Sequence, residues 1–311
     1  MSSATLEARL GRDGVVQRFA RDAEGIAALA AFCREHQVGV VAMEATGGYE
    51  RLPFGLLWAA GVPAAIVNPR AVRRFAEAMG ILEKTDRIDT GVIAWFAEVK
   101  RIVPQPPAAP AQQQLAARVT RLRQLTQLRT AQTNQRRLIS DPAVCRTFDE
   151  LLQLLQRQMR HLEAEIASLI DADPLWQKLD ATFRTIKGVA DRTVARLFAE
   201  LPEIGTLSNK AAAKLAGLAP IARDSGKLNG KLNGKLNGKR PVRGGRGGIR
   251  SILFVVADVV RRYNRDFADL HRRLTAAGKP RKLIRTAIAR KLLVRLNAKA
   301  RDARREFAKP A

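Results

Sequence analysis

The chain has 311 residues, 46% of them hydrophobic, which suits a soluble folded protein with two or three domains. Lys and Arg number 55 against 29 Asp and Glu, and residues 181–311 alone carry 32 basic and 9 acidic residues. This lopsided charge predicts a polyanionic partner, nucleic acid rather than membrane, because the basic residues are spread over loops and helices without one aromatic-anchored amphipathic segment.

The sequence predicts a cytoplasmic protein without a membrane anchor. No stretch approaches eighteen uninterrupted apolar residues, and MSSATLEARLGRDG has neither the charged lead nor the apolar core of a secretory signal. Cys33 and Cys145 stand far apart, which argues against a disulfide framework and against a zinc site.

The first hundred residues read as a hairpin followed by alternating strands and helices. ATLEARL alternates apolar and polar residues, GRDG is a turn, and VVQRFA reads as a second strand. The pattern then predicts helices over 23–36 and 51–60, buried strands at 39–45 and 63–68, and further helix from Arg70 onward. This order is typical of an RNase H-like α/β domain, which the proline-rich segment PQPPAAP at 104–110 ends.

Beyond the prolines the pattern changes to long helices. Seven apolar residues alternately four and three positions apart form a heptad seam: Phe148, Leu152, Leu155, Met159, Leu162, Ile166 and Leu169. A partner helix ahead of the Asp141-Pro142 break is indicated by Leu115, Val119, Leu122 and Leu125. The prediction is a coiled-coil stalk, and the sequence leaves open whether the seam lies within one chain or between two.

A third, mostly helical part begins near residue 181. FRTIKGVADRTVARLFAEL has the apolar spacing and the Gly188 turn of a helix-hairpin-helix, whose backbone N–H groups bind phosphate without reading sequence. Lys187 and Gly188 are the candidate contacts, and a helix-turn-helix packing element is the alternative. The predicted domains are therefore an α/β domain at 1–103, a linker with coiled coil at 104–180, and a helical domain at 181–311.

Three carboxylates in the first domain are candidates for a metal site. Glu44 ends the predicted strand GVVAMEA, where α/β folds place their chemistry. Asp86 and Asp89 in KTDRID are three apart and share one helix face. Hard cations such as Mg²⁺ take oxygen ligands and act on phosphate groups, so this set suits phosphoryl transfer. Each acid alone is commonplace at a strand end or a helix cap, and it is their combination that indicates a site.

Several segments, in order along nearly the whole chain, carry a family resemblance: EATGGYE, VNPRAVRRFAEAMG, KTDRID, IKGVADRTVARLFAELPE, GLAP, DSGK and RGGR. The chain resembles the DEDD-type transposases of the insertion-sequence one-ten family. The resemblance implies a RuvC-like N-terminal domain with four acidic ligands for Mg²⁺ (or Mn²⁺), a coiled coil, and a C-terminal domain whose serine attacks DNA. It also implies guidance by a structured bridge RNA and a homo-oligomer, dimer or tetramer, in which different protomers build composite sites.

Carried over residue by residue, the resemblance assigns Glu44, Asp86 and Asp89 as the second, third and fourth acids, and Ser225 in DSGK as the nucleophile. A serine hydroxyl becomes a useful nucleophile when a neighbouring group takes its proton or stabilises its attack. The implied function is DNA strand cleavage and exchange. A RuvC-like structure-specific endonuclease that uses water, and an inactive nucleic-acid-binding relic, are the alternatives.

Between DSG and the Arg-Gly-rich stretch, the unit KLNG is written three times. We interpret the two additional copies as a flexible, cationic loop expansion without new function. Together with the Arg residues that follow, the loop is predicted to line an electrostatic groove for nucleic acid. The candidate contacts are Lys227, Lys239, Arg240, Arg243, Arg246 and Arg250.

The N-terminus departs from the family pattern. The family's first acid lies in a segment of the form G-I-D-V-S-K-A-T-L, and aligning its end with Ser3, Ala4, Thr5 and Leu6 places that Asp one residue before Met1. The first, central strand of the RuvC-like sheet is then expected to be missing, through either a late start or a damaged copy. Glu7 and Asp13 are the nearest acids, and both belong to the hairpin that follows.

Overall fold

The computed structural model describes residues 4–83, 85–221, 227–228, 231–232 and 241–308. The chain divides into two compact units, Met1–Ala108 and Ala109–Ala311. Within the described residues, no helix has the length and apolar character needed to cross a membrane.

The first unit contains the predicted order of a hairpin followed by alternating strands and helices. Its elements are β1 (Thr5–Arg9), β2 (Val16–Ala20), α1 (Ala23–Glu35), β3 (Val41–Glu44), α2 (Arg51–Ala59), β4 (Ala64–Val67), α3 (Pro69–Ala78) and α4 (Asp86–Lys100). Side-chain caps fix where several helices begin: Asp22 accepts a hydrogen bond from the Gly25 amide, and Asn68 accepts one from the Arg70 amide.

The strands of the first unit form two separate pairs. β1 runs antiparallel to β2, with Thr5 opposite Ala20 and Arg9 opposite Val16. β3 runs parallel to β4, with Glu44 opposite Val67. No described strand joins one pair to the other, so each pair keeps a second edge.

The second unit is built from long helices. Its elements are α5 (Pro110–Arg136), α6 (Pro142–Asp171), α7 (Pro174–Arg184), α8 (Asp191–Glu200), α9 (Asn209–Leu215), β5 (Lys227–Leu228), β6 (Lys231–Leu232), α10 (Gly247–Tyr263), α11 (Arg265–Ala276) and α12 (Arg281–Phe307). Three of these helices begin with proline, whose fixed φ suits the first helical position and whose missing N–H costs nothing there.

The helical stalk is a hairpin within one chain, which was one of the two predicted alternatives. α5 packs against α6. α5 buries Leu115, Val119, Leu122 and Leu125, and α6 buries Leu155, Met159 and Ile166 of the predicted seam. These side chains belong to the same core as α7, α8, α10 and α12.

The division into domains therefore differs from the predicted one. The first boundary lies after residue 108 rather than 103, and residues 104–180 do not form a region separate from 181–311. The reason is that α5 packs on α8 and α6 on α7, so the stalk and the C-terminal helices bury their apolar faces together.

Two Lys-Leu pairs of the KLNG repeat lie within the described residues. The backbone of Lys227 and Leu228, from the first copy, pairs antiparallel with that of Lys231 and Leu232, from the second copy. The rest of the repeat, on which the predicted flexible loop falls, lies outside the described residues.

Asn297 is a fully buried polar side chain that ties α12 to the segment before α9. Its Oδ1 accepts a hydrogen bond from the Gly205 amide at 2.9 Å, and its Nδ2 donates to the Leu207 carbonyl and the Asn209 Oδ1, each at 2.9 Å. Gly205 has φ +88°, and a Cβ there would lie 2.8 Å from the Ala300 carbonyl carbon. Only glycine permits this close approach to α12.

We expect Asn297→Ala to lower the free energy of unfolding by about 2–3 kcal/mol, because it leaves the buried Gly205 amide without an acceptor and opens a small cavity. Chemical denaturation would measure the loss. Asn134→Ala, at an exposed position of α5, is the control and should change stability by less than about 0.5 kcal/mol. Equal effects of the two variants would contradict the structural role of Asn297.

Candidate active site

A cavity of about 580 Å³ lies in the first unit, and Glu44, Asp86 and Asp89 all line it. The three acids come from two elements: Glu44 ends β3, while Asp86 and Asp89 lie in the first turn of α4. The Thr85 hydroxyl accepts a hydrogen bond from the Ile88 amide at 3.3 Å and so fixes where α4 begins. The structure thus brings together the three carboxylates that the sequence singled out.

The cavity is bordered by two strand edges. Residues 6–10 and residues 40–44 line it without interruption, although successive side chains of a strand point to opposite faces. Because consecutive residues of each strand line the cavity, the cavity borders the edge of each strand rather than one of its faces. α1 contributes Leu29, Phe32 and Cys33, and α4 contributes Thr90, Ile93, Ala94 and Ala97. The centre is therefore an apolar slot between β1 and β3 that helices cover.

The donor set has the right chemistry for a hard cation, but the carboxylates do not converge. Aspartate and glutamate oxygens are the ligands that Mg²⁺ and Mn²⁺ prefer. Within the described part of the chain, no three of His, Cys, Asp and Glu are placed so that they could hold one metal ion. A metal site at this cavity requires Glu44, Asp86 and Asp89 to move closer together.

Glu50 organises the loop that follows Glu44. Its side chain is buried, and its Oε2 accepts hydrogen bonds from the Thr46 and Gly48 amides, both at 2.9 Å. Burial raises the pKa of the Glu50 carboxyl, but hydrogen bonds from backbone N–H groups outweigh it, and the pKa lies below its ordinary value. Gly47 and Gly48 have φ +74° and +119°, which explains the two glycines of the EATGGYE segment.

Glu7 and Arg9 of β1 also line the cavity, and sequence reasoning did not select either as a site residue. Glu7 has a side chain 16% exposed and pairs with Arg18 of β2 at 3.6 Å. Asp13, the other acid near the N-terminus, is at the hairpin turn with a side chain 84% exposed and is not among the lining residues. The alternation of apolar and polar residues along β1 could not identify Glu7 as a cavity residue, because the cavity borders the edge of β1 rather than one of its faces.

The predicted nucleophile Ser225 and two residues predicted to bind nucleic acid, Lys239 and Arg240, lie outside the described residues. Of Lys227 only the backbone is described. Lys187 and Arg243 are exposed. Gly188 has φ +102°, and a Cβ there would lie 3.1–3.2 Å from side-chain atoms of Val259 and Val260, so α10 packs closely on this turn.

Arg246 and Arg250 make contacts inside the second unit. Arg246 binds the Glu203 carboxylate with two hydrogen bonds of 2.6 Å and also donates to the Glu200 carbonyl. Burial raises the pKa of Glu203, but the Arg246 guanidinium outweighs it, and the pKa lies below its ordinary value. Arg250 donates to the Gly244 carbonyl at 2.7 Å. Both arginines therefore hold the Arg-Gly-rich segment in place, and their binding of nucleic acid stays a prediction.

Two models of transposase families match this chain. A model of DEDD-type IS110 transposases matches residues 10–140, and a model of the transposase IS116/IS110/IS902 family matches residues 180–272. The chain belongs to the IS110 family of transposases. It is thus a DNA transposase or recombinase, and the family assignment implies that it binds DNA.

The IS110-family chain is also similar to curated proteins. It is 28% identical over 269 residues to the pilin gene-inverting proteins of Moraxella lacunata and Moraxella bovis. The alignment covers 81% of this chain and 76% of each relative. The model that matches residues 10–140 covers Glu44, Asp86 and Asp89, and the one that matches residues 180–272 covers Ser225.

We expect Glu50→Gln to destabilise the transposase by about 1 kcal/mol at neutral pH, because a neutral amide oxygen is a weaker acceptor than a carboxylate for the two part-buried amides of Thr46 and Gly48. The lowered pKa of Glu50 stabilises the folded state above the ordinary glutamate pKa of about 4.3, and this contribution disappears as the pH falls through the folded-state value. The difference between variant and wild type should therefore shrink below about pH 4.

Thermal unfolding between pH 7 and pH 3 would measure this difference. Glu35→Gln, at an exposed position of α1, removes the same charge and serves as the control. A difference between wild type and Glu50→Gln that stays constant over the whole range would refute the role of the ionised carboxylate.

Proposed function

We propose that this IS110-family transposase cleaves and exchanges DNA strands by phosphoryl transfer, with Ser225 as the nucleophile. Glu44, Asp86 and Asp89 would hold Mg²⁺ or Mn²⁺. The observation that carries the proposal is the lining of one cavity by three carboxylates from two elements, β3 and α4, in the part of the chain that the DEDD-type family model matches.

Residues of the chain would supply the nucleophile of the reaction and the basic groups that bind DNA. The Ser225 hydroxyl would attack a DNA phosphorus and lose its proton, the 3′ or 5′ oxygen would leave, and the phosphate would remain joined to the protein. The cation would supply positive charge for the phosphate oxygens at the reacting centre. The basic residues of the second unit would hold the DNA backbone without reading its sequence.

A structured guide RNA would then select the DNA sequence by base pairing, as the family resemblance implies. A homo-oligomer, dimer or tetramer, would place the serine of one protomer beside the carboxylates of another. The serine and the carboxylates lie in the parts of the chain that two different family models match, residues 180–272 and residues 10–140.

We expect a covalent protein–DNA adduct that depends on Ser225. Wild-type protein, incubated with element-end DNA, the element's RNA and Mg²⁺, should give a denaturation-resistant adduct on a gel, and Ser225→Ala should lose it entirely. Ser251→Ala, at an exposed position of α10, is the control and should keep it.

The same experiment separates the alternatives. Free nicked DNA that persists with Ser225→Ala indicates the water-using endonuclease, because no serine adduct is then required. Salt-sensitive binding without any cleavage in Mg²⁺ or Mn²⁺ indicates a binding protein only.

The site would be completed by a further strand in the slot between β1 and β3, carrying the fourth carboxylate. The directions of the backbone amides support this. Val41 donates to the Pro63 carbonyl at 2.9 Å and Ala45 to the Val67 carbonyl at 3.1 Å, so the amide of Ala42 between them points away from β4, toward the slot. A strand there would pair with both edges and join the two strand pairs into one sheet.

We expect an N-terminal segment of the form Gly-Ile-Asp-Val, fused so that its Val replaces Met1, to fill the slot. The fusion should raise the thermal unfolding midpoint and slow hydrogen exchange at the Ala42 amide, since a new ladder bond protects that amide. A fusion in which Pro replaces Ile and Val cannot form the ladder and is the control. Equal exchange at Ala42 in the two fusions would show that no strand is added.

A further inference from the structure

Tyr49 is an exposed aromatic residue on the loop that follows Glu44. It is 46% exposed. Thr46 of the same loop lines the carboxylate cavity, whereas Tyr49 is not among the lining residues. Tyr49 therefore lies on the surface beside the cavity, outside the slot between β1 and β3. A partner can reach this ring whether or not a strand fills the slot.

Hydrogen bonds hold the backbone on both sides of Tyr49. Arg21 Nη1 donates to the Tyr49 carbonyl at 3.2 Å. The Glu50 Oε2 accepts hydrogen bonds from the Thr46 and Gly48 amides, both at 2.9 Å. Because the backbone is held while the ring is exposed, a partner that stacks on the ring has little further ordering of the loop to offset.

Positive charge flanks the Tyr49 ring. The Arg21 guanidinium lies over one face of the ring, with its Cζ 5.1 Å from the ring centre. Arg51, two residues after Tyr49, is exposed. An aromatic face for a base, together with cationic groups for the phosphates, is the combination that binds single-stranded nucleic acid. The partner that fits this surface is therefore an unpaired nucleotide.

We infer that Tyr49 stacks on an unpaired base of the DNA strand that is cleaved. Tyr49 follows Glu44 by five residues, so chain geometry keeps their Cα atoms within about 17 Å of each other. The stacked base would thus lie within a few nucleotides of the cleaved phosphate. Strand exchange unpairs bases there. This contact rests on the proposed function, because it takes the Glu44 end of β3 as the place of cleavage.

Single abasic sites in the DNA can test this contact. The full chain, carrying Ser225→Ala so that no DNA is consumed, is bound with the element's RNA to a set of element-end duplexes that each lack one base. With Tyr49 present, removal of the stacked base should weaken binding about tenfold. With Tyr49→Ala that position should lose its effect while the other positions keep theirs, which is the coupling expected for two groups in contact.

Two further variants separate stacking from folding. Tyr49→Phe keeps the ring and should keep the effect at the same position. Tyr263→Ala removes the other tyrosine of the chain, which is 63% exposed on α10, and should leave the abasic profile unchanged. Tyr49→Ala itself retains the hydrogen bonds of the loop, since these use the Arg21 and Glu50 side chains and backbone groups. Its thermal unfolding midpoint should therefore match that of the parent chain.

Identical abasic profiles for the parent chain and Tyr49→Ala would overturn the inference, as would a uniform weakening at every position. A Tyr49 effect confined to abasic sites in the RNA would show that the ring binds the guide instead of the DNA. This binding readout does not depend on the serine. A failed adduct experiment together with a position-specific loss in Tyr49→Ala would therefore reject the nucleophile and keep the contact.

Discussion

The covered space between the edges of β1 and β3 is the feature on which the first unit's site depends. Five carboxylates line this cavity of about 580 Å³, together with apolar side chains from α1 and α4. The acids are spread over β1, β3 and α4 and do not converge on one point within the described residues, and Glu7 pairs with Arg18. The lining is thus rich in acidic oxygen ligands, the type that hard cations prefer.

The basic residues of the C-terminal part of the chain have two different roles. Residues 181–311 carry a net charge of +23, which predicts a nucleic-acid partner, yet several of their arginines bind carboxylate and carbonyl groups within the second unit. Arg246 binds Glu203, and Arg196 binds Glu200 together with the Gly248 carbonyl. A Cβ at Gly248 would lie 2.0 Å from the Glu200 carboxylate, so the glycines of this segment serve close packing as well as flexibility. The charge that remains for DNA is smaller than the count of Lys and Arg implies.

The strand-edge slot shapes the cavity of the first unit. The described residues form two strand pairs whose edges border one covered space. Such edges are unfavourable in water unless they are paired or covered, and here α1 and α4 cover them. A strand there would turn two marginal pairs into one sheet and bring a carboxylate into the cavity.

The sequence by itself determined the elements, because periodicity and caps act over a few residues. The hairpin, the βαβ order, the breaks at Pro110 and Pro142, and the placement of Glu44 at a strand end were readable in this way. Only the tertiary structure decided that the stalk folds within one chain, that it shares a core with α8 and α12, and that Glu7 and Arg9 line the same cavity as the acids. These outcomes depend on contacts between distant positions, such as Arg246 with Glu203 or Gly205 with Asn297, and no local pattern records which partner a side chain will meet.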